Sequence, residues 1–204
     1  MRPASELVCD SVVAMTTAIA QALYLFCPLL VSAALAGVVL HRNWLAFLRQ
    51  PIDGGATFRG HRIFGDNKTW RMAVTAIFGC VATVAFQSET IGFVPTSLLV
   101  LDYRHTSPLC LGFAMGVGAV AGELPNSFVK RQLGIPPGRT TRGFSALIFY
   151  VWDQVDLLTG TWPLLLFWFA PSGSLVAASF AMGLVLHPAI AALGYAIGAR
   201  KTPR

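Results

Sequence analysis

The chain reads as an all-α integral membrane protein of about five transmembrane helices, and three observations carry that expectation. Of its 204 residues 55% are hydrophobic and only 12% charged, with a mean hydropathy of +0.63, which leaves too little polar surface to coat a water-soluble globule of this size. Apolar stretches recur at lengths near the about 20 residues of helix needed to cross a bilayer's hydrocarbon core. The basic residues are segregated as well. Of the 15 Lys and Arg, all but Arg2 and Arg104 fall in three clusters that flank apolar stretches, the distribution described by the positive-inside rule. The net charge of +6 therefore follows from topology and does not call for nucleic acid.

The first stretch, Ser11–Leu40, is expected to be a retained anchor, because Glu6 and Asp10 offset Arg2 and the run is longer than a signal-peptide core. Trp70–Phe86, Ser107–Phe128, Phe144–Phe169 and Ser174–Ala199 follow. Ile91–Leu101 is apolar but short and carries Pro95, so it is expected at the interface. The loop His41–Arg71 holds Arg42, Arg49, Arg59, Arg62, Lys68 and Arg71; Ser127–Gly143 holds Lys130, Arg131, Arg139 and Arg142; the tail adds Arg200, Lys201 and Arg204. Five crossings with the N-terminus outside put all three clusters on the cytoplasmic side, whereas an even number would split them. The whole chain, 1–204, is expected to be one transmembrane domain with cytoplasmic loops at about 41–71 and 128–143.

Gly112, Gly116, Gly118 and Gly122 give the third stretch small-xxx-small spacing, which lets helices approach closely. Pro163 and Pro188 are expected to kink or break the last two helices, since each removes a backbone donor. Cys9, Cys27, Cys80 and Cys110 lie far apart, without a CxxC pair or zinc-like pairing with the equally scattered His41, His61, His105 and His187. They read as packing residues, and no histidine metal site is indicated.

Chemistry concentrates in three strings. Asp153 and Asp156 interrupt the fourth apolar stretch, where a carboxylate near the bilayer centre costs about 2.5–3.5 kcal/mol. At i and i+3 they share one helix face. They suit a hard cation such as Mg²⁺, which takes carboxylates together with water and phosphate oxygens; an ion pair with a buried Arg or Lys is the other reading. Glu123, Ser127 and Lys130 recur on one helical stripe near the end of the third stretch. Lys130 and Arg131 read alone as membrane-edge anchors, and beside an acid and a serine as a phosphate clamp. Gly65-Asp66-Asn67-Lys68-Thr69-Trp70-Arg71 forms a turn before the second stretch. Its helix start offers N–H groups to an anion, or the turn binds lipid headgroups; it lacks the spacing of a Walker A loop.

Taken in order, Pro51-Ile52-Asp53, Thr57-Phe58-Arg59-Gly60, Gly65-Asp66-Asn67-Lys68-Thr69-Trp70-Arg71, Gly122-Glu123 with Asn126-Ser127-Phe128-Val129-Lys130-Arg131, and Asp153-Gln154-Val155-Asp156 resemble the CDP-archaeol synthase family. That family is related to the CDP-diacylglycerol synthases, whose signature also joins S-x-x-K-R to a D-x-x-D pair. The resemblance implies a nucleotidyltransferase that turns CTP and a lipid phosphate into CDP-lipid and pyrophosphate with Mg²⁺. It implies a metal set of Glu123, Asp153 and Asp156, and catalytic roles for Asp153, Asp156 and Lys130. It implies CTP or lipid-phosphate binding by Asp66, Asn67, Lys68, Thr69, Arg71, Asn126, Ser127, Lys130 and Arg131. Met72 stands where the family pattern usually has Gly. The implied location is the cell membrane, with the site facing the cytoplasm. The alternatives are a diacylglycerol-type synthase using phosphatidate, a small cation or metabolite transporter, and a structural membrane adaptor. A transporter predicts paired inverted repeats, which the two basic loops do not form; an adaptor leaves the cost of Asp153 and Asp156 unexplained.

Overall fold

Within a bilayer the backbone has no water to bond, so a spanning chain folds into helices that satisfy their own polar groups. The computed structural model describes residues 3–137, 139 and 143–196, and five long helices account for most of them. They are α1 (Ala4–His41), α2 (Trp70–Glu89), α3 (Pro108–Gln132), α4 (Phe144–Leu165) and α5 (Gly173–Ala196). Each expected stretch falls on one helix, with its ends moved by local chemistry. Ser107 caps α3 by accepting from the Cys110 N–H at 3.4 Å, and Pro108 follows at the first helical position, where a missing N–H costs nothing. α4 ends at Leu165 rather than Phe169, and Pro163 and Pro188 both lie inside their helices without ending them at that point. Ile91–Leu101 forms two short 3-10 turns, Ile91–Phe93 and Thr96–Leu98, as its length suggested. Residues 197–199 of the fifth stretch, Arg142, and the tail cations Arg200, Lys201 and Arg204 lie outside the described residues.

Among the described residues α1 from Cys9, α2 and α3 are long and apolar enough to cross a membrane. Asp153, Gln154 and Asp156 interrupt α4, and the apolar run described in α5 is shorter, Gly173–Leu186. Large apolar side chains point outward, among them Phe78 at 65% and Phe86 at 67% exposure on α2, as expected of a surface solvated by lipid.

The helices close into a ring: α3 packs between α2 and α4, α5 joins α4 to α1, and α1 returns to α2. Lipid tails are as apolar as leucine, so helix association in a membrane depends on close packing rather than on escape from water. Glycines supply it where α3 meets α2 and α4 and where α2 meets α1. On α3, Gly112 and Gly116 face α2, where an added Cβ would stand 2.5 Å from Val81 Cα and 2.5 Å from Ile77 Cα. Gly118 and Gly122 face α4 and meet Gly160; an added Cβ on Gly122 would overlap the Asp156 carbonyl, and one on Gly160 the Gly118 carbonyl. Gly79 of α2 fits against Ser32 of α1.

Pro28 interrupts α1 and leaves the Tyr24 carbonyl without its usual helical donor. The Gln87 side-chain amide of α2 donates to that carbonyl at 2.7 Å, so the break becomes an inter-helix bond. The densest core surrounds this point, with Leu25 and Phe26 of α1, Leu111 and Met115 of α3 and Leu165 of α4 almost completely buried. The opposite half of the bundle, where α1 and α3 end and α2 and α4 begin, is looser and carries the long polar loop. Gly160→Ala is expected to push α3 and α4 apart at a cost of about 1–3 kcal/mol, the usual range for overpacking, read as a lower Tm in detergent. Gly37→Ala, whose added Cβ meets nothing within 4 Å, is expected to leave Tm unchanged or slightly higher.

Candidate active site

The loop between α1 and α2 is ordered by one carboxylate. Asp53 Oδ1 accepts from the Gly55 N–H at 3.0 Å and from Arg62 Nη2 at 2.8 Å, while Oδ2 accepts from the N–H groups of Phe64 at 2.9 Å and Gly65 at 3.1 Å. Its side chain is fully shielded from solvent. Burial alone would raise this carboxyl; the donors from Phe64, Arg62, Gly55 and Gly65 outweigh it and hold the pKa down to about 2. Arg62 also pairs with Asp66 at 2.6 Å. Around this hub the chain forms a small hairpin, β1 (Thr57–Phe58) against β2 (His61–Arg62).

The hairpin and the turn after it lie over the end of α3. Phe58 meets the Phe128 ring with centroids 5.9 Å apart, and Gln132 donates to the Arg62 carbonyl at 3.3 Å. Gly65 adopts φ +90°, where a Cβ is strained and would also stand 3.3 Å from Arg131 Nε. Arg131 reaches back to the Ile135 carbonyl, so it braces the turn. Lys68 is fixed through its backbone, since its carbonyl accepts from the Ile52 N–H at 2.8 Å and Thr69 bridges Pro51. Its ammonium then pairs with Glu123 of α3.

The acids meet where α3 crosses α4. Asn126, buried at 2% exposure, donates to Asp153 Oδ1 at 2.6 Å and to Asp156 Oδ2 at 3.2 Å, so one carboxamide holds both carboxylates of the i, i+3 pair. Asn126 Oδ1 is itself buried without a partner. Lys130 pairs with Asp153 and lies over the Phe149 ring at 5.4 Å. Asp156, at 7% exposure, receives donors from Asn126 and from the Leu157 N–H at 2.8 Å, and from no other described residue. The cluster thus sets three carboxylates, Glu123, Asp153 and Asp156, against two ammonium groups, Lys68 and Lys130. A cavity of about 600 Å³ opens beside it, with Lys68, Thr69 and Glu123 at its polar end and Leu29, Ala36, Ala73, Ala119 and Leu157 along its walls; Met72 lines it too.

Of the residues singled out in the sequence, Lys68, Glu123, Asn126, Lys130, Asp153 and Asp156 come together. Ser127 is buried on the next step of α3, and Thr69 caps α2 by accepting from the Met72 N–H at 3.4 Å. That cap corrects one expectation: the start of α2 does not hold its N–H groups open for an anion, because Met72 N–H is capped and Trp70 N–H donates to the Gln50 carbonyl. Asp66 and Asn67 are exposed on the turn. Arg71 faces away, buried against the end of α1. No group of three acids, histidines or cysteines is close enough among the described residues to ligate one ion as the side chains stand; Lys68 and Lys130 pair with Glu123 and Asp153 instead. Sequence reasoning quoted Asp53 within a motif without giving it a role and gave no part to Gly160, since the effects of both depend on contacts distant in the chain.

A family model described as "CarS-like: CDP-archaeol synthase" matches residues 15–203. A relative named CDP-archaeol synthase in Methanosarcina mazei is 32% identical over 176 residues, covering 76% of this chain and 90% of that protein. One of the same name in Methanosphaerula palustris is 34% identical over 160 residues, covering 75% and 89%. A solved structure described as an intramembrane enzyme for archaeal membrane lipid biosynthesis superposes with a TM-score of 0.62 at 24% identity, over 83% of this chain and 91% of that one, and so shares the fold.

The Asp53 hub makes the loop acid-sensitive. A carboxyl held at about 2 against an ordinary value of 3.8 adds stability that is complete above the ordinary value and is lost as pH falls through about 2. Amide exchange at Phe64 and Gly65 is therefore expected to accelerate as pH drops below about 4 relative to the rest of the chain. In Asp53→Asn it is expected to be fast already at neutral pH, for a local loss on the order of 2 kcal/mol.

Proposed function

The chain belongs to the CDP-archaeol synthase family, and from that membership we propose that it transfers the cytidylyl group of CTP to a membrane lipid phosphate, releasing pyrophosphate and leaving a CDP-lipid. The observation that carries the reading is the charge balance at the α3–α4 crossing. Three carboxylates stand against two lysines, and the buried one, Asp156, has no cation of its own among the described residues. A buried charge without a partner is costly, and a cluster one positive charge short is suited to a divalent cation.

The donors fit Mg²⁺, which prefers oxygen ligands and keeps room for phosphate oxygens. Glu123, Asp153 and Asp156 would hold it, with the partnerless Asn126 Oδ1 as a neutral fourth donor. When bound, it supplies neutralisation of phosphate charge at the reacting centre. The protein's own part is positioning. A lipid phosphate is ionised at neutral pH, so its oxygen attacks the α-phosphorus of CTP without a general base while pyrophosphate departs from the opposite side. Lys68 and Lys130 hold the charge of the nucleotide phosphates, Arg131 and Gly65 keep the turn bearing Lys68 over the end of α3, and Ser127 and Thr69 add hydroxyl groups at the rim. Preformed cationic donors of this kind stabilise charge without reorganising at the moment of reaction. The apolar walls of the cavity suit a lipid chain, and its polar end suits a phosphate. Asp66 and Asn67 are read as rim residues that nucleotide phosphates reach from the loop side.

Five crossings with the loop side in the cytoplasm are proposed, because the basic residues and the cavity's polar end then face the compartment that supplies CTP. The location proposed is the cell membrane. With purified protein, labelled CTP and a lipid phosphate, CDP-lipid is expected to form and to disappear on chelation of Mg²⁺. Asp156→Asn is expected to lower the rate at least about 100-fold, as for loss of a group that stabilises transition-state charge. Undiminished turnover in that variant would remove Asp156 from the reaction.

A further inference from the structure

Two guanidinium groups converge at the other side of the α1–α2 seam, where each donates to Asn43. Arg71, in the first turn of α2, is only 9% exposed. It donates through Nη1 to Asn43 Oδ1 at 3.2 Å, and its Nε is buried without a partner. Arg49 donates through Nη2 to the same oxygen at 2.6 Å. Among the described residues neither arginine has an acidic partner in any ion pair. A guanidinium stays protonated at any physiological pH and presents a planar fork of donors. Two of them sharing one neutral carboxamide repel each other, and burying one without a counter-ion is costly. The missing component is an anion.

Asn43 has φ +54°, a conformation asparagine accepts more readily than most side chains. It turns the chain out of α1 so that its Oδ1 meets both arginines. Trp44 at 56% and Phe47 at 76% exposure stand beside this turn, and exposed aromatic residues at the end of a spanning helix mark headgroup depth. None of Asn43, Arg49 and Arg71 lines the cavity that adjoins Glu123.

We propose that Arg49, Arg71 and Asn43 form an anion site at the bilayer surface that takes a phosphate group, separate from the acid cluster of the transfer reaction. The Arg71 fork supplies its unused Nη2 donor, Arg49 supplies a second cation, and the Asn43 carboxamide sets the two apart. This binding needs neither CTP nor Mg²⁺, so it is measured without them.

The test uses the full-length protein in a non-ionic detergent free of phosphate. The probes are dioctanoyl phosphatidylglycerol, a phosphodiester with no free phosphate to act as substrate, and inorganic phosphate. Binding is read by calorimetric titration and by the rise in Tm. The wild type is expected to bind at least one probe, and Arg49→Gln and Arg71→Gln to weaken that binding about tenfold or more, while Asp156→Asn keeps it. Binding of the lipid without competition from inorganic phosphate assigns the site to headgroups, and equal competition assigns it to free phosphate. Arg71→Met is expected to show a Tm no lower than the wild type without probe, since it removes an uncompensated buried charge. Equal binding in both Gln variants would overturn the proposal, and so would a loss of folding in probe-free Arg71→Met.

Discussion

The contact between α3 and α4 at Gly118, Gly122 and Gly160 is the constraint on which the site depends. With no Cβ on either side, the two backbones touch at the turn that carries Asp156 on one helix and Glu123 on the other. Side chains of ordinary size there would separate the helices, and Asn126 could no longer bridge Asp153 and Asp156 from the facing helix. In a lipid environment, where hydrophobic burial does not draw helices together, such a seam provides both the attraction and the register. The same glycines that pack the bundle therefore set the distance between its charges.

The polar loop depends on a second constraint of a different kind. It is too short and too hydrophilic to have a core, so a single shielded carboxylate organises it: four donors from three segments converge on Asp53. The end of α3 then pins the loop through Phe128, Gln132 and Arg131. Lys68 thereby arrives beside Glu123 although 55 residues separate them in the chain. The closed half of the bundle around Phe26 and Met115 and the open half around Glu123 divide the labour, one half holding the ring together and the other leaving space.

Much of this was legible in the sequence. Five apolar stretches became five helices because length and composition alone decide whether a segment suits a membrane. The acids and Lys130 were visible because charge inside such a stretch is conspicuous. The paired glycines of α3 declared a close approach, but their partner did not: Gly160 is a single glycine whose role exists only once α4 lies against α3. Asn126 was read as a phosphate ligand from its place in a motif, and the structure has it donating to two carboxylates, a pairing across 27 and 30 residues that spacing does not reveal. Arg71 shares a motif with Lys68, yet Lys68 lies in the turn before the cap of α2 and Arg71 in the helix's first turn, so different stretches of backbone aim them, one at Glu123 and the other at Asn43. Pro28 reads as a helix defect, and its compensation lies on another helix, in Gln87.

The lysines of the acid cluster have a further consequence. Lys68 and Lys130 hold Glu123 and Asp153, so two of the three carboxylates are neutralised by the chain itself in a medium that tolerates net charge poorly. In the cytidylyl-transfer reading, Glu123 and Asp153 would hold a divalent cation and Lys68 and Lys130 would hold phosphate, so each of these four side chains would change partner. Loading and emptying then become a concerted swap of counter-ions along flexible four-carbon stems.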